Sequence, residues 1–168
     1  MQINPTTQRI RPDGAPVVVD PVNVKLDVPV YYTGDGTPQL MQSPIYCSGA
    51  FAEIILQVLN DWAAAYSFRV CHLGVYNPRM ARRVDGTPIR PTRWSNHAWG
   101  AAIDFAGVLT TDNPDNYMCI TDMLEDDNYR DIAQQLLDRC QAAIDIAGRR
   151  SEIVNEGHGN WMHLGIRP

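Results

Sequence analysis

Apolar residues recur at three- and four-residue steps in two stretches of the chain, and these predict its two main helices. Phe51, Ile54, Ile55, Val58, Leu59, Trp62 and Tyr66 line one face of a segment reaching from Ser48 to about Tyr66. Ser48 carries a hydroxyl suited to capping the first free N–H groups of that helix. Ile132, Leu136, Leu137, Cys140, Ala143, Ile144 and Ala147 form a second stripe between about Asn128 and Ala147. Elsewhere the apolar runs are short or alternate, as strands require. Val17–Val19 and Val22–Tyr32 read as extended, and in the latter Val22, Val24, Leu26 and Val28 alternate with other residues. Phe68–Val75, Ala101–Phe105 and a last segment near Trp161–Ile166 are strand-like as well.

Between these elements lie a polar, arginine-rich loop reaching to about Trp99 and a Thr/Asp/Asn-rich excursion over 107–127, placed to roof a cleft. Helices alternating with short strands predict an α+β fold, a small mainly antiparallel sheet packed by two main helices. Residues 1–45, rich in Pro, Gly, Asp and Thr, read as an N-terminal arm or extended hairpin, and 46–168 as the domain that carries the chemistry.

Composition narrows the class. With 168 residues, 45% hydrophobic and 20% charged, the chain suits one domain with its own core and is not of disordered type. No apolar run approaches the roughly 20 residues that span a bilayer. Met1 to Pro16 is polar and proline-bearing, without a signal-peptide core. A protein acting outside the cytoplasm, in the periplasm or on a virion, would then leave by a lysis pathway, by virion assembly or as a longer precursor. A formal charge of −5 speaks against general nucleic-acid binding. The basic residues are unevenly placed: Arg79, Arg82, Arg83, Arg90 and Arg93 fall together, with Asp85 alone to offset them. They read as a solvated loop or, for one or two, as forks facing an anionic substrate group. Cys47, Cys71, Cys119 and Cys140 have no close metal-binding spacing, and read as buried thiols or as one or two disulfides.

Ser95-Asn96-His97-Ala98-Trp99-Gly100-Ala101-Ala102-Ile103-Asp104-Phe105 carries the strongest chemical signal. A histidine and an aspartate stand seven positions apart, and the glycine and alanines between them let a turn feed a strand. An aspartate inside an apolar strand is costly to bury unless it is paired or metal-bound. Taken alone, the segment fits a buried Asp–His hydrogen bond as well as a metal site. His163, between Met162 and Leu164, is a second polar group where a core residue is expected. Two histidines and one aspartate form a three-ligand set with an open fourth position, the pattern of catalytic zinc.

At these residues the chain resembles the zinc D-alanyl-D-alanine carboxypeptidase and L-alanyl-D-glutamate endopeptidase family, which includes many phage endolysins. The nearest pattern is that of the extensin-like C-terminal domain: His72, Leu73, Gly74, Tyr76 and Arg79 precede the metal motif, and the resemblance covers about residues 47–166. It implies Zn2+ in a cleft, held by His97, Asp104 and His163, and a peptidoglycan stem peptide as substrate. It also implies that Arg79 holds a substrate carboxylate and that Ser95 orients the site. A surface salt bridge for Arg79 and a plain turn hydroxyl for Ser95 are the simpler readings. His72 reads as a strand residue or a neighbour of the ligands, and Trp94, Trp99 and Trp161 as pocket walls or core.

One departure from the family stands out. Members carry an acid three residues before the last ligand, or a histidine two before it; here those positions hold Asn160 and Trp161. Neither takes a proton at neutral pH. His158, five before the ligand, and nearby Glu156 are the replacement candidates for a general base. Two functions follow: a zinc peptidase cutting D-amino-acid-containing stem peptides, or a catalytically weakened zinc module that binds cell wall or builds a virion. No sequence feature assigns an oligomeric state.

Overall fold

A computed structural model of the protein describes residues 14, 16–83, 85–155 and 160–167. They form a mixed α+β fold whose main sheet is covered on one face by helices. Strand β1 (Pro21–Val24) pairs antiparallel with β4 (Ile45–Ser48) as a two-stranded ribbon. The main sheet takes β2 (Val30–Tyr32), β3 (Gln39–Leu40), β5 (Arg69–His72), β6 (Ala102–Leu109), β7 (Tyr117–Cys119), β8 (Ser151–Asn155) and β9 (Met162–Ile166). Its order is β3-β2-β5-β6-β9-β8, with β7 on the far end of β6. All its pairings are antiparallel except β2 with β5.

The predicted first helix is present as α1, spanning 49–65 and capped by Ser48, whose Oγ accepts from the Phe51 N–H at 3.3 Å. Its middle, Ala52–Leu56, is π-helical, and that wider turn rotates the inward stripe. Leu56, Asn60 and Ala63 are therefore buried, while Ile54 and Val58 are only partly so. The second stripe is helix α3 (Arg130–Ile146), preceded by a short helix α2 (Ile120–Glu125). Ala133, Leu136, Cys140 and Ile144 form its buried edge, whereas Ala147, expected inside, is exposed. Trp62 donates its indole N–H to the Ile132 carbonyl at 2.9 Å and so ties α1 to α3.

The extended segment expected over Val22–Tyr32 is broken into two strands in different sheets. Its β2 half joins β3 as a hairpin on the main sheet's edge, beside β5. Between the halves, Asn60 accepts from the Asp27 N–H at 2.8 Å and donates to its carboxylate at 3.1 Å, which latches this region onto α1. The excursion over 107–127 does not roof a cleft. Strand β6 runs on to Leu109, and β7 folds back along residues 107–109, beyond Asp104. Gly107 permits this close return: a Cβ there would collide with the Met118 carbonyl oxygen. The four cysteines are buried free thiols, with no disulfide. Burial pushes Cys47 up to about 11 and Cys71 and Cys140 up to about 12, which keeps them protonated and unreactive at neutral pH.

Strand alternation places the chemistry. On β6, Ile103 and Phe105 face the helices, as do Met162, Leu164 and Ile166 on β9. The intervening residues Asp104 and His163 point to the opposite face, where they are direct cross-strand partners. Polar residues in apolar strands are thus explained by the sheet's second face.

Candidate metal centre

Asp104 and His163 meet because the β6–β9 register sets them opposite each other; the His163 Nδ1 lies 3.1 Å from Asp104 Oδ1. His97 arrives from a 3-10 turn, Asn96–Trp99, whose start is capped by Ser95 Oγ accepting from the His97 N–H at 3.3 Å. Gly100 closes that turn at φ 61°, with the Cys47 and Ser48 backbones so near that a Cβ would approach within 3.0 Å. The turn delivers His97 Nε2 to 3.0 Å from the same Asp104 oxygen. The ligand atoms of the three side chains lie within 4.8 Å of one another, and both imidazoles are buried.

Hydrogen-bond chemistry tests whether a cation fits. His97 Nδ1 lies 2.7 Å from the Val75 carbonyl, which can only accept, so Nδ1 carries the proton. A neutral His97 then presents an Nε2 lone pair to the lone pairs of a carboxylate. That contact is repulsive unless a proton or a metal ion lies between the two atoms. Tetrahedral zinc, with bonds of about 2.0–2.1 Å to these donors, separates neighbouring ligand atoms by roughly 3.3 Å. The two observed separations, 3.0 and 3.1 Å, are close to that spacing. Burial works against the Asp104 charge, but the adjoining His163 and His97 rings overcome it and hold the carboxyl well below the usual range. The buried His97, Asp104 and His163 group can hold a metal ion.

A cavity of about 490 Å³ opens beside this group. Asp104, His163, Ser95 and Arg79 line it, together with Arg82, Arg83, Glu152 and Trp161. The structure thus brings Arg79 and Ser95 to the site, and the Ser95 N–H bonds the Arg79 carbonyl at 2.9 Å. The arginine-rich loop forms the wall: Met80 bridges Trp94 and Arg82 bridges Pro88, the pattern of an irregular hairpin. The salt bridge expected as the simpler role of Arg79 does not form among the described residues; Arg93 is the loop arginine that pairs, with Glu152 at 3.2 Å. Of the tryptophans expected as pocket walls or core, Trp161 lines the cavity and Trp99 packs against the main core.

His72 is not brought into the ligand group. Its ring is buried, with Nε2 3.0 Å from Met41 Sδ and Nδ1 without a hydrogen-bond partner among the described residues. His158 and Glu156 lie outside the described residues. Asn160, in the family's acid position, is exposed and holds a left-handed backbone at φ 56°.

Sequence reasoning missed Glu152 and the strand that carries it. Strand β8 pairs with β9 so that Glu152 stands opposite Gly165 and Val154 opposite His163. The Glu152 carboxylate accepts from Asn96 Nδ2 at 2.8 Å and Arg93 at 3.2 Å, and lies 3.5 Å from Arg167 Nε. Burial opposes its charge, but Arg93 and the weaker fields of His163 and Arg167 hold it below the usual range. The β-branched pair Ile153–Val154 is a strand signal, and in the strand Glu152 and Val154 line the cavity while Ile153 packs on the core.

No family model, curated protein or solved structure matches this chain.

Proposed function

We propose that the protein is a zinc-dependent hydrolase that cuts peptide bonds in peptidoglycan stem peptides containing D-amino acids. The observation that carries this reading is the convergence of both histidines on one Asp104 oxygen beside an arginine-walled cavity. Two imidazoles and one carboxylate leave a coordination position free, which suits a catalytic site. Zinc bound there supplies a water of lowered pKa and a Lewis acid that polarises a carbonyl. Arg79 has no ion-pair partner among the described residues, so its fork is free to take the carboxylate of a peptide substrate. Ser95 acts on the turn, holding the His97 backbone in place, and also faces the cavity. His158 serves as the proton acceptor, with Glu156 as the alternative, because Asn160 cannot act as a base.

The resemblance in the motif Ser95 to Asp104 and the ordered third ligand His163 supports the same substrate class. The deciding experiment is metal quantitation of the purified protein coupled to peptidoglycan digestion, with and without chelator. Stoichiometric zinc with chelator-sensitive release of peptide fragments is the expected result. Stoichiometric zinc without digestion would turn the reading to a binding or virion-structural module, which Asn160 favours.

A further inference from the structure

The arginine-bearing wall of the cavity is a hairpin with arms 79–83 and 87–95. Its main-chain bonds run from arm to arm. The Ala81 N–H donates to Arg93 O at 2.8 Å, the Arg83 N–H to Thr87 O at 2.8 Å and the Ser95 N–H to Arg79 O at 2.9 Å. A two-stranded ribbon of this kind is marginally stable in water unless a larger body holds it. Two side chains bind its returning arm to the main sheet, and both end on Glu152 of β8. Arg93 Nη2 donates to Glu152 Oε1 at 3.2 Å, and Asn96 Nδ2 donates to Oε2 at 2.8 Å. Gly165, opposite Glu152 on β9, leaves room for the second bond: a Cβ there would stand 3.3 Å from Asn96 Nδ2.

One carboxylate thus holds both ends of 93–96, with one oxygen for each. Ser95 lies inside that stretch, and its N–H carries the constraint across the ribbon to the Arg79 carbonyl. Arg79 has no ion-pair partner among the described residues, so its place in the cavity follows the hairpin backbone. We propose that Glu152 is a positioning residue, which pins the arginine hairpin to β8 and so sets where Arg79 stands beside the metal centre. It works through Arg79 and touches no substrate in this role. The inference rests on the reading of Arg79 as the residue that takes a substrate carboxylate.

The test compares wild type with Glu152→Gln, Glu152→Ala, Arg79→Ala and the Glu152→Ala/Arg79→Ala double variant on a soluble stem peptide. Glu152→Ala removes both bonds, and KM is expected to rise about tenfold, the size of one lost charge-assisted hydrogen bond. Glu152→Gln keeps one acceptor oxygen and should fall between that variant and wild type; it replaces Glu152→Ala throughout if the alanine protein fails to fold. A residue that acts through Arg79 adds little once Arg79 is gone, so the double variant should stay within about twofold of Arg79→Ala. Additive losses, or an unchanged KM in the folded Glu152 variants, would overturn the assignment. Amide hydrogen exchange reads the pin without any activity: the Ala81, Arg83 and Ser95 N–H groups should exchange about tenfold faster in Glu152→Ala. Wild-type exchange rates in that variant would overturn the proposal as well. A wild type that cuts no stem peptide, with exchange still faster on substitution, would remove the hydrolase reading and leave the pin standing.

Discussion

The Nδ1 of His97 donates to the Val75 carbonyl at 2.7 Å, and that bond fixes the orientation of the ring at the centre of the site. Val75 lies three residues beyond the end of β5, and the backbone between is clamped: the Leu73 N–H bonds Asp104 O, and Gly74 O accepts from the Asp104 N–H. The segment that orients His97 is thus hydrogen-bonded to the backbone of the very residue His97 faces. The lone pair on Nε2 is thereby aimed at Asp104, 3.0 Å away.

The purified protein should bind one zinc per chain. His97→Ala, His163→Ala and Asp104→Asn should each abolish stoichiometric binding, measured by elemental analysis after dialysis. They should also lose the rise in Tm that zinc gives wild type, since binding to the native state alone stabilises it. Calorimetry in buffers of different ionisation enthalpy should show proton release on binding, because zinc displaces whatever proton bridges His97 and Asp104. Full zinc occupancy in the histidine variants would end the ligand assignment.

Arg79→Ala should weaken substrate binding and leave zinc content and Tm unchanged. A charge-assisted hydrogen bond contributes about 1.5–3 kcal/mol, so KM should rise about 10–100-fold. Lysine should rescue only in part, since it lacks the planar fork. Unchanged kinetics in Arg79→Ala would make Arg79 a plain wall residue.

Much of this was legible in the chain because it depends on local pattern. The stripes of α1 and α3 follow from a 3.6-residue period, and the Ser48 cap from its hydroxyl. The candidate metal group was legible because Asp104 and His163 each violate an apolar strand, a local anomaly that needs a partner. Register was not legible. That Asp104 stands opposite His163 depends on a pairing between positions 59 residues apart, and that Glu152 stands opposite Gly165 depends on the register of the β8–β9 pair. The π-turn in α1 escaped for a different reason, as its extra residue shifts the inward face without altering the composition of the stripe. The path of β1 and β2 into two sheets escaped because an alternating run does not announce where it changes partners.

Acid should destabilise the protein in a window set by His72. Burial lowers its pKa from 6.5 to about 4, against the opposing pull of Asp104. Below 6.5 the unfolded chain takes up a proton that the folded one refuses, so stability falls as pH drops toward 4 and levels off beneath it. At 1.36 kcal/mol per unit the loss is about 3 kcal/mol. Asp104, whose pKa is lowered from 3.8, adds its own loss only below that value. Urea denaturation of metal-free His72→Gln should show a flatter profile between pH 6.5 and 4 than wild type. An equal slope in the two proteins would assign the acid sensitivity elsewhere.

The missing acid separates an enzyme from a binding module. If His158 or Glu156 accepts the proton, wild type should digest peptidoglycan, and alanine at the acting residue should cut kcat. A positioned general base contributes about 10²–10⁴-fold, so the loss would be plain, with zinc still bound because neither residue is a ligand. His158 is the favoured candidate, since its spacing from His163 is one the family uses. If the centre has lost its base, wild type should be nearly inert on every stem peptide, and a carboxylate at position 160 should restore hydrolysis. Asn160→Asp is the better variant for this than Asn160→Glu. The backbone there is left-handed, φ 56°, a conformation that short Asn and Asp side chains tolerate and longer ones resist. An active wild type indifferent to both His158→Ala and Glu156→Ala would sink this choice of base. The described carboxylate left on the cavity wall beside the ligands would then be Glu152, which the Arg93 and Arg167 guanidiniums hold in its charged form.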